Sequence, residues 1–295
     1  MTKVRKVIEV LVGHQTIDGA GVKLYRVFGG PRTAILTDPF LLLDHFGSNN
    51  PLDYIAGFPW HPHRGIETVT YVLKGRVKHE DSTGLSGVIE SGDIQWMTAG
   101  SGIFHQEMPQ LDADTEMWGF QLWVNLPSNK KMIRPKYKNL KAKAVPEVVL
   151  DNGVKAKVIA GKLGDVEGPI KDLAVDVEYY DVMIPPETTF IHYPKEGYNS
   201  LVYVIEGEGI LGENQRRIKA RELAIFDNEG KIEIVRNASS KPLRILFLSG
   251  RPLGEPIAWY GPIVMNYEYE IVEALRELRE GRFIKTQANV LDIDG

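Results

Sequence analysis

Cysteine is absent from the 295 residues. Disulfides, thiolate metal sites and cysteine nucleophiles are therefore excluded, and any metal must be held by His, Asp, Glu or backbone oxygen. Long apolar runs are missing as well: no stretch approaches ~18 consecutive apolar residues, which argues against a membrane span. There is no basic excess either, with 35 Lys and Arg against 39 Asp and Glu, a net charge of −4 and a pI near 6.0. That balance argues against direct nucleic-acid binding, which gathers a basic face. Lys3, Arg5 and Lys6 precede only a short apolar run interrupted by Glu9, so the start reads as a first strand, not a signal peptide. With 43% hydrophobic and 25% charged residues the chain can bury a full core. The expectation is a soluble, cytoplasmic protein.

What is abundant is turn chemistry. The chain has 29 Gly and 17 Pro between short runs rich in Val, Ile, Tyr and Trp, the texture of an all-β protein. Strands are expected at Val7–Val12, Val22–Val27, Glu67–Leu73, Asp93–Thr98, Trp118–Leu126, Asp181–Ile184, Leu201–Ile205, Glu222–Phe226, Lys231–Val235 and Leu243–Leu248. One helix is expected from about Tyr269 to Arg279, with Ile271, Ala274 and Leu275 on one stripe and Gly281 as its stop. Tyr71-Val72-Leu73-Lys74-Gly75 recurs as Tyr203-Val204-Ile205-Glu206-Gly207, and Asp93-Ile94-Gln95-Trp96 is answered by Leu223-Ala224-Ile225-Phe226 at nearly the same offset. A duplicated unit explains both matches. Between the copies, Lys130, Lys131, Arg134, Lys136, Lys138, Lys141 and Lys143 come without an acidic residue, and read as a solvated connector. The expected domains are 1–135 and 136–295.

Three of the seven histidines fall beside the first copy. His61 and His63 precede the strand that ends at Gly75; His105 and Glu107 follow the strand that begins at Asp93. Successive side chains of an extended chain point to opposite faces, so each pair shares a face. Two neighbouring strands can then present three imidazoles and one carboxylate to a single point. Such a donor set suits Fe, Mn, Cu, Ni or Zn, not Ca or Mg.

At these residues the sequence resembles the cupin superfamily, and within it the pirin family. The stretch Phe58-Pro59-Trp60-His61-Pro62-His63-Arg64-Gly65-Ile66-Glu67-Thr68-Val69 is similar to the first pirin signature, and Gly92 through Pro109, with Gly100-Ser101-Gly102-Ile103-Phe104-His105-Gln106-Glu107, to the second. Phe40–Asp44, Gln121–Pro127 and Trp259–Asn266 extend the likeness to nearly the whole chain. The resemblance implies two tandem cupin-type β-barrels, a bicupin, with metal in the first barrel alone on His61, His63, His105 and Glu107. One departure from the general cupin pattern is that seven residues separate Glu67 from Gly75, one more than usual. Glu67 is accordingly read as a hydrogen-bonding partner of the strand or of Arg64, not as a ligand. The positions that answer His61 and His63 in the second half fall at Tyr193 and Lys195, and His192 is read as a hydrogen-bonding residue.

The resemblance further implies a quercetin 2,3-dioxygenase-like oxidoreductase, opening a flavonol with O2, with one transition-metal ion per chain, Fe foremost. Glu107 would be the catalytic proton acceptor, and Phe58, Trp60, Met97 and Phe104 would line the slot for the flat aromatic substrate. The alternative is a metal-dependent adaptor of the transcription-cofactor kind, with a protein partner and little turnover. His79 reads as part of a solvated hairpin and His45 as core.

Overall fold

The computed structural model of the chain describes residues 3–111 and 116–294. All ten expected strands are present, and the expected helix spans Glu268–Arg279. Its entry is closed by Glu270, whose carboxylate accepts from the backbone N–H groups of Asn266 and Tyr267 at 3.0 and 2.9 Å; this satisfies donors that a helix start leaves open. Among the described residues no helix is long and apolar enough to cross a membrane.

In chain order the first twelve strands are β1 (Val7–Val12), β2 (His14–Asp18), β3 (Val22–Gly29), β4 (Phe40–Ser48), β5 (Phe58–His63), β6 (Ile66–Lys74), β7 (Arg76–Asp81), β8 (Ser86–Ile89), β9 (Ile94–Thr98), β10 (Ile103–Gln110), β11 (Met117–Asn125) and β12 (Lys136–Leu140). The chain forms two compact units. The first takes His14–Ile35, Phe40–Ala144 and Leu253–Gly295; the second takes Met1–Gly13, Leu36–Pro39 and Val145–Pro252.

The first unit is a barrel of two sheets. Eight strands run in the order β2-β3-β4-β11-β6-β9-β12, closed by Asn289–Ile293, and four run β5-β10-β7-β8. The second unit repeats this plan. Its large sheet contains the order Val177–Ile184, Leu243–Gly250, Asn199–Glu206, Glu222–Phe226, matching β4-β11-β6-β9, and its small sheet is ordered as β5-β10-β7-β8 is. Both units are cupin barrels, closed so that few strand edges remain open. The apolar core of the second gathers Tyr180, Phe190, Val202, Val204 and Phe247, all buried.

The units differ from a cut at 135/136 because strand pairing reaches far along the chain. β12 pairs antiparallel with β9 and parallel with Asn289–Ile293, so the first unit extends past residue 135 and regains the final segment. β1, near the start, pairs with Glu222–Phe226 of the second unit. The basic run is thus not all connector: Lys131 is buried and its ammonium donates to Gly65 O at 2.8 Å, Val264 O at 2.9 Å and Asn125 Oδ1. Burial pushes its pKa down to about 7.

Candidate metal centre and cavity

The site grows from the pairing of β5 with β10. His63 stands across from Ile103, His61 from His105, and Phe58 from Glu107. Between the last two pairs β5 carries one residue more than β10, a β-bulge. Opposed residues of antiparallel strands project to the same side. The bulge therefore carries Phe58 onto the face of His61 and His63, where strict alternation would put Pro59; Trp60, next to His61, points away by alternation.

On that face the three imidazoles converge. His61 Nε2 lies 3.0 Å from His63 Nε2 and 3.0 Å from His105 Nε2, and one nitrogen from each ring falls within 4.8 Å of the others. The opposite ring nitrogens of two are tied back: His61 Nδ1 to Pro59 O at 2.9 Å, His63 Nδ1 to Pro262 O at 3.2 Å. A carbonyl only accepts, so each Nδ1 carries the proton and each Nε2 presents a lone pair. Lone pairs facing one another at this distance repel unless a cation lies among them, and tying back Nδ1 is how protein metal sites orient their histidines. His105 Nδ1 is buried without a hydrogen-bond partner among the described residues. Burial, and then the neighbouring His61, holds the pKa of both His63 and His105 well below the ordinary imidazole value, which keeps them neutral as ligands must be. The donor set fits a transition-metal ion.

Glu107 is not one of the tight imidazole group but shares its cavity. Its carboxylate accepts from Thr70 Oγ1 at 2.7 Å, and Thr70 Oγ1 is also 2.7 Å from Gln121 Oε1. Burial raises the Glu107 pKa, with the Thr70 hydrogen bond and His61 opposing.

The cavity measures about 630 Å3 and lies between the two sheets, with Leu24, Phe46, Tyr54 and Met117 among its apolar lining. Of the four side chains expected to contact substrate, Phe58 lines it. Met97 is packed in the core beside Ile66 and Tyr137, since β9 is buried along its whole length. Phe104 faces away from the histidines by strand alternation and meets Phe283 edge-on at 5.7 Å. Trp60 is 51% exposed. The aromatic wall is instead Trp123 and Trp259, stacked with centroids 5.9 Å apart, with Trp123 edge-on to His63 at 5.1 Å. Both tryptophans stand in strings that carried the resemblance, but neither is near the histidines in sequence.

Other residues fall as their neighbours dictate. Glu67 is buried and accepts from Trp96 Nε1 at 3.0 Å and Thr98 Oγ1 at 2.6 Å, a structural role. His79 does not lie on a solvated hairpin: it is 3% exposed, stands across from Glu107 on β7, and its ring is 5.4 Å from Tyr137. His45 packs against Phe120 at 4.5 Å. In the second unit His192 closes its strand as His63 closes β5, but stands between Glu233 at 2.9 Å and Glu178 at 3.2 Å, with Arg5 bound to Glu233 at 2.8 Å. There a guanidinium and an imidazole balance two buried carboxylates.

Comparison with known proteins agrees with this architecture. The family model "Pirin" matches residues 21–124, and the model "Pirin C-terminal cupin domain" matches residues 179–284. The chain is 43% identical over 281 residues to a pirin-like protein of Caulobacter vibrioides, covering 95% of this chain and 99% of that one. It is 38% identical to pirin-like protein 2 of Arabidopsis thaliana, covering 94% and 85%. A crystal structure of quercetin 2,3-dioxygenase from Acinetobacter baumannii superposes with a TM-score of 0.87 at 36% identity, covering 95% of this chain and 98% of that one. With two cupin barrels, one of them bearing a convergent histidine triad, and both family models matched, the chain belongs to the pirin family.

Proposed function

We propose that the protein is a metal-dependent dioxygenase that opens a flavonol such as quercetin with O2. Both oxygen atoms enter the ring-opened product, and one ring carbon leaves as carbon monoxide. The observation that carries this reading is the convergence of three imidazoles, two of them tied back at Nδ1, with a buried carboxylate and two stacked tryptophans beside one largely apolar cavity. The superposition on a quercetin 2,3-dioxygenase of Acinetobacter baumannii supports it.

His61, His63 and His105 would hold the ion, Fe foremost, with Glu107 as the fourth ligand. The ion, when bound, supplies Lewis-acid and redox chemistry for the reaction with O2. The remaining work belongs to the chain. Trp123, Trp259 and Phe58 offer flat faces and edges against which an aromatic ring system orients, and the apolar walls exclude water. Glu107 takes the proton of the flavonol 3-hydroxyl. Its burial makes it a stronger base than an exposed carboxylate, closer to the range in which proton transfer is efficient. The Thr70 hydroxyl holds the receiving carboxylate in place.

The test measures metal content and flavonol absorbance on the same samples. Glu107→Gln keeps the size and removes the basicity, so turnover per bound metal should fall by ~100- to 10,000-fold. His63→Ala removes a nitrogen ligand, so occupancy itself should fall and activity with it. Wild-type turnover per bound metal in Glu107→Gln would refute the proton-acceptor role. A wild type loaded with Fe, Mn, Cu or Ni that leaves quercetin intact would end the dioxygenase reading.

A further inference from the structure

The inner face of the eight-stranded sheet carries a row of polar side chains that the reaction described above does not use in full. Arg26 on β3 stands across from Asp44 on β4, Asp44 across from Gln121 on β11, and Gln121 across from Thr70 on β6. Opposed residues share a face, and all four line the cavity. The next row toward one end of the sheet is apolar, with Leu24 across from Phe46.

At the far end of the polar row lies a compact cluster. Arg26 Nε donates to Asp44 Oδ1 at 2.9 Å, Nη2 to Asp44 Oδ2 at 2.8 Å, and Nη2 also to Asp18 Oδ2 at 2.7 Å. Asp44 is 5% exposed. Arg26 Nη1 and Gln121 Nε2 make no hydrogen bond with the described residues, so donors remain open beside carboxylates that can each accept further. Two carboxylates against one guanidinium leave the cluster with an excess of acceptors and a net negative charge. Such a site receives ligand hydroxyls and repels carboxylates and phosphates.

Thr70, which holds Glu107, and Arg26 stand three strands apart, about 14 Å at the usual spacing between strands. A single-ring phenol cannot touch both ends. A linked multi-ring phenol can.

Resting on the reading of this cavity as the flavonol site, we propose that Arg26, Asp44 and Asp18 form a hydroxyl-recognising subsite. It selects, among flat aromatic substrates, those whose far ring carries adjacent hydroxyl groups.

Quercetin and galangin test this, since galangin differs only in lacking the two hydroxyls of the pendant ring. Binding to the metal-loaded protein is followed by quenching of tryptophan fluorescence without O2, and KM by flavonol absorbance with it. The wild type should favour quercetin by about tenfold or more, the effect of one or two hydrogen bonds to charged groups. In Asp18→Asn and in Arg26→Gln the ratio should fall toward one. Asp18 is half-exposed, so its variant keeps the test decisive if Arg26→Gln fails to fold. A wild-type ratio near one, no binding of either flavonol, or a ratio unaltered by both substitutions overturns the proposal. A quercetin preference that the variants abolish, in a protein that never consumes flavonol, would leave the subsite standing and remove the dioxygenase reading alone.

Discussion

Phe58 stands directly across from Glu107, although His61, three residues later on β5, stands across from His105, only two residues earlier on β10. The extra residue on β5 is what puts an aromatic ring, and not the Pro59 ring, beside the proposed base, while Trp60 points to the other face. Phe58→Ala should therefore raise the KM for a flavonol by tenfold or more, the effect of losing about 1.5–3 kcal/mol of apolar contact. Trp60→Ala should stay within ~0.5 kcal/mol of the wild type, as exposed positions do. Equal effects of the two substitutions would mean that the facing of the β5 side chains does not decide which ring meets the substrate.

Metal loading should stabilise the fold as well as enable turnover. An ion among the three Nε2 atoms relieves the repulsion of facing lone pairs, and an ion present at 1,000 times its Kd adds about 4 kcal/mol by mass action. Thermal unfolding should shift upward on loading and return on chelation. Metal analysis should find one ion per chain, because in the second unit a lone His192 between two carboxylates takes the place of a triad. Two ions per chain, or no shift of Tm, would contradict this account.

A buried ion pair fastens the C-terminal helix to the connection between β5 and β6. Arg64 is 2% exposed, lies 2.7 Å from Glu277, and donates to Ser101 O at 2.8 Å and Phe283 O at 2.9 Å. Removing one partner of a buried pair leaves an uncompensated charge. Glu277→Ala should then cost about 3 kcal/mol or more in chemical denaturation. A loss below ~1 kcal/mol would show that the carbonyls alone suffice for the guanidinium.

The second unit should weaken as pH rises above neutrality. Burial alone lowers the pKa of His192, but Glu178 and Glu233 on either side outweigh it and raise the value to about 9, against 6.5 for the unfolded chain. The folded state thus holds the proton more tightly. Its contribution, about 3 kcal/mol if undiminished by screening, is complete below pH 6.5 and is lost between pH 6.5 and about 9. Urea midpoints across that interval should decline; a rising midpoint would mean the imidazole is neutral when folded.

The histidine triad was legible because strand alternation and the spacing of two short motifs both constrain it. The same rule needs register to go further, and register is where local reading stopped. Met97 and Phe104 lie close to His105 in sequence, yet pleating sends one into the core and the other to Phe283. His79 lies among charged residues and reads as solvated, but its register across from Glu107 turns it inward. Trp123 and Trp259 are brought to His63 by pairings that no local window contains. The Arg26 to Thr70 row is invisible until four strands are placed side by side. The duplicated halves were readable from the recurring strand and Gly turn, whereas β1 and the final segment find their places through contacts across most of the chain.

The carbonyl that accepts from His63 Nδ1, and so orients the ring, lies 199 positions downstream, at Pro262. During synthesis the three histidines emerge early, and the oriented form of His63 waits until the whole of the second unit has been translated. An ion that meets the nascent chain would meet imidazoles not yet held in the orientation of the finished triad. A metal held by this triad would in consequence meet its oriented ligands only after translation, and the pool of ions around the completed chain, not the one around the ribosome, would decide which metal is bound.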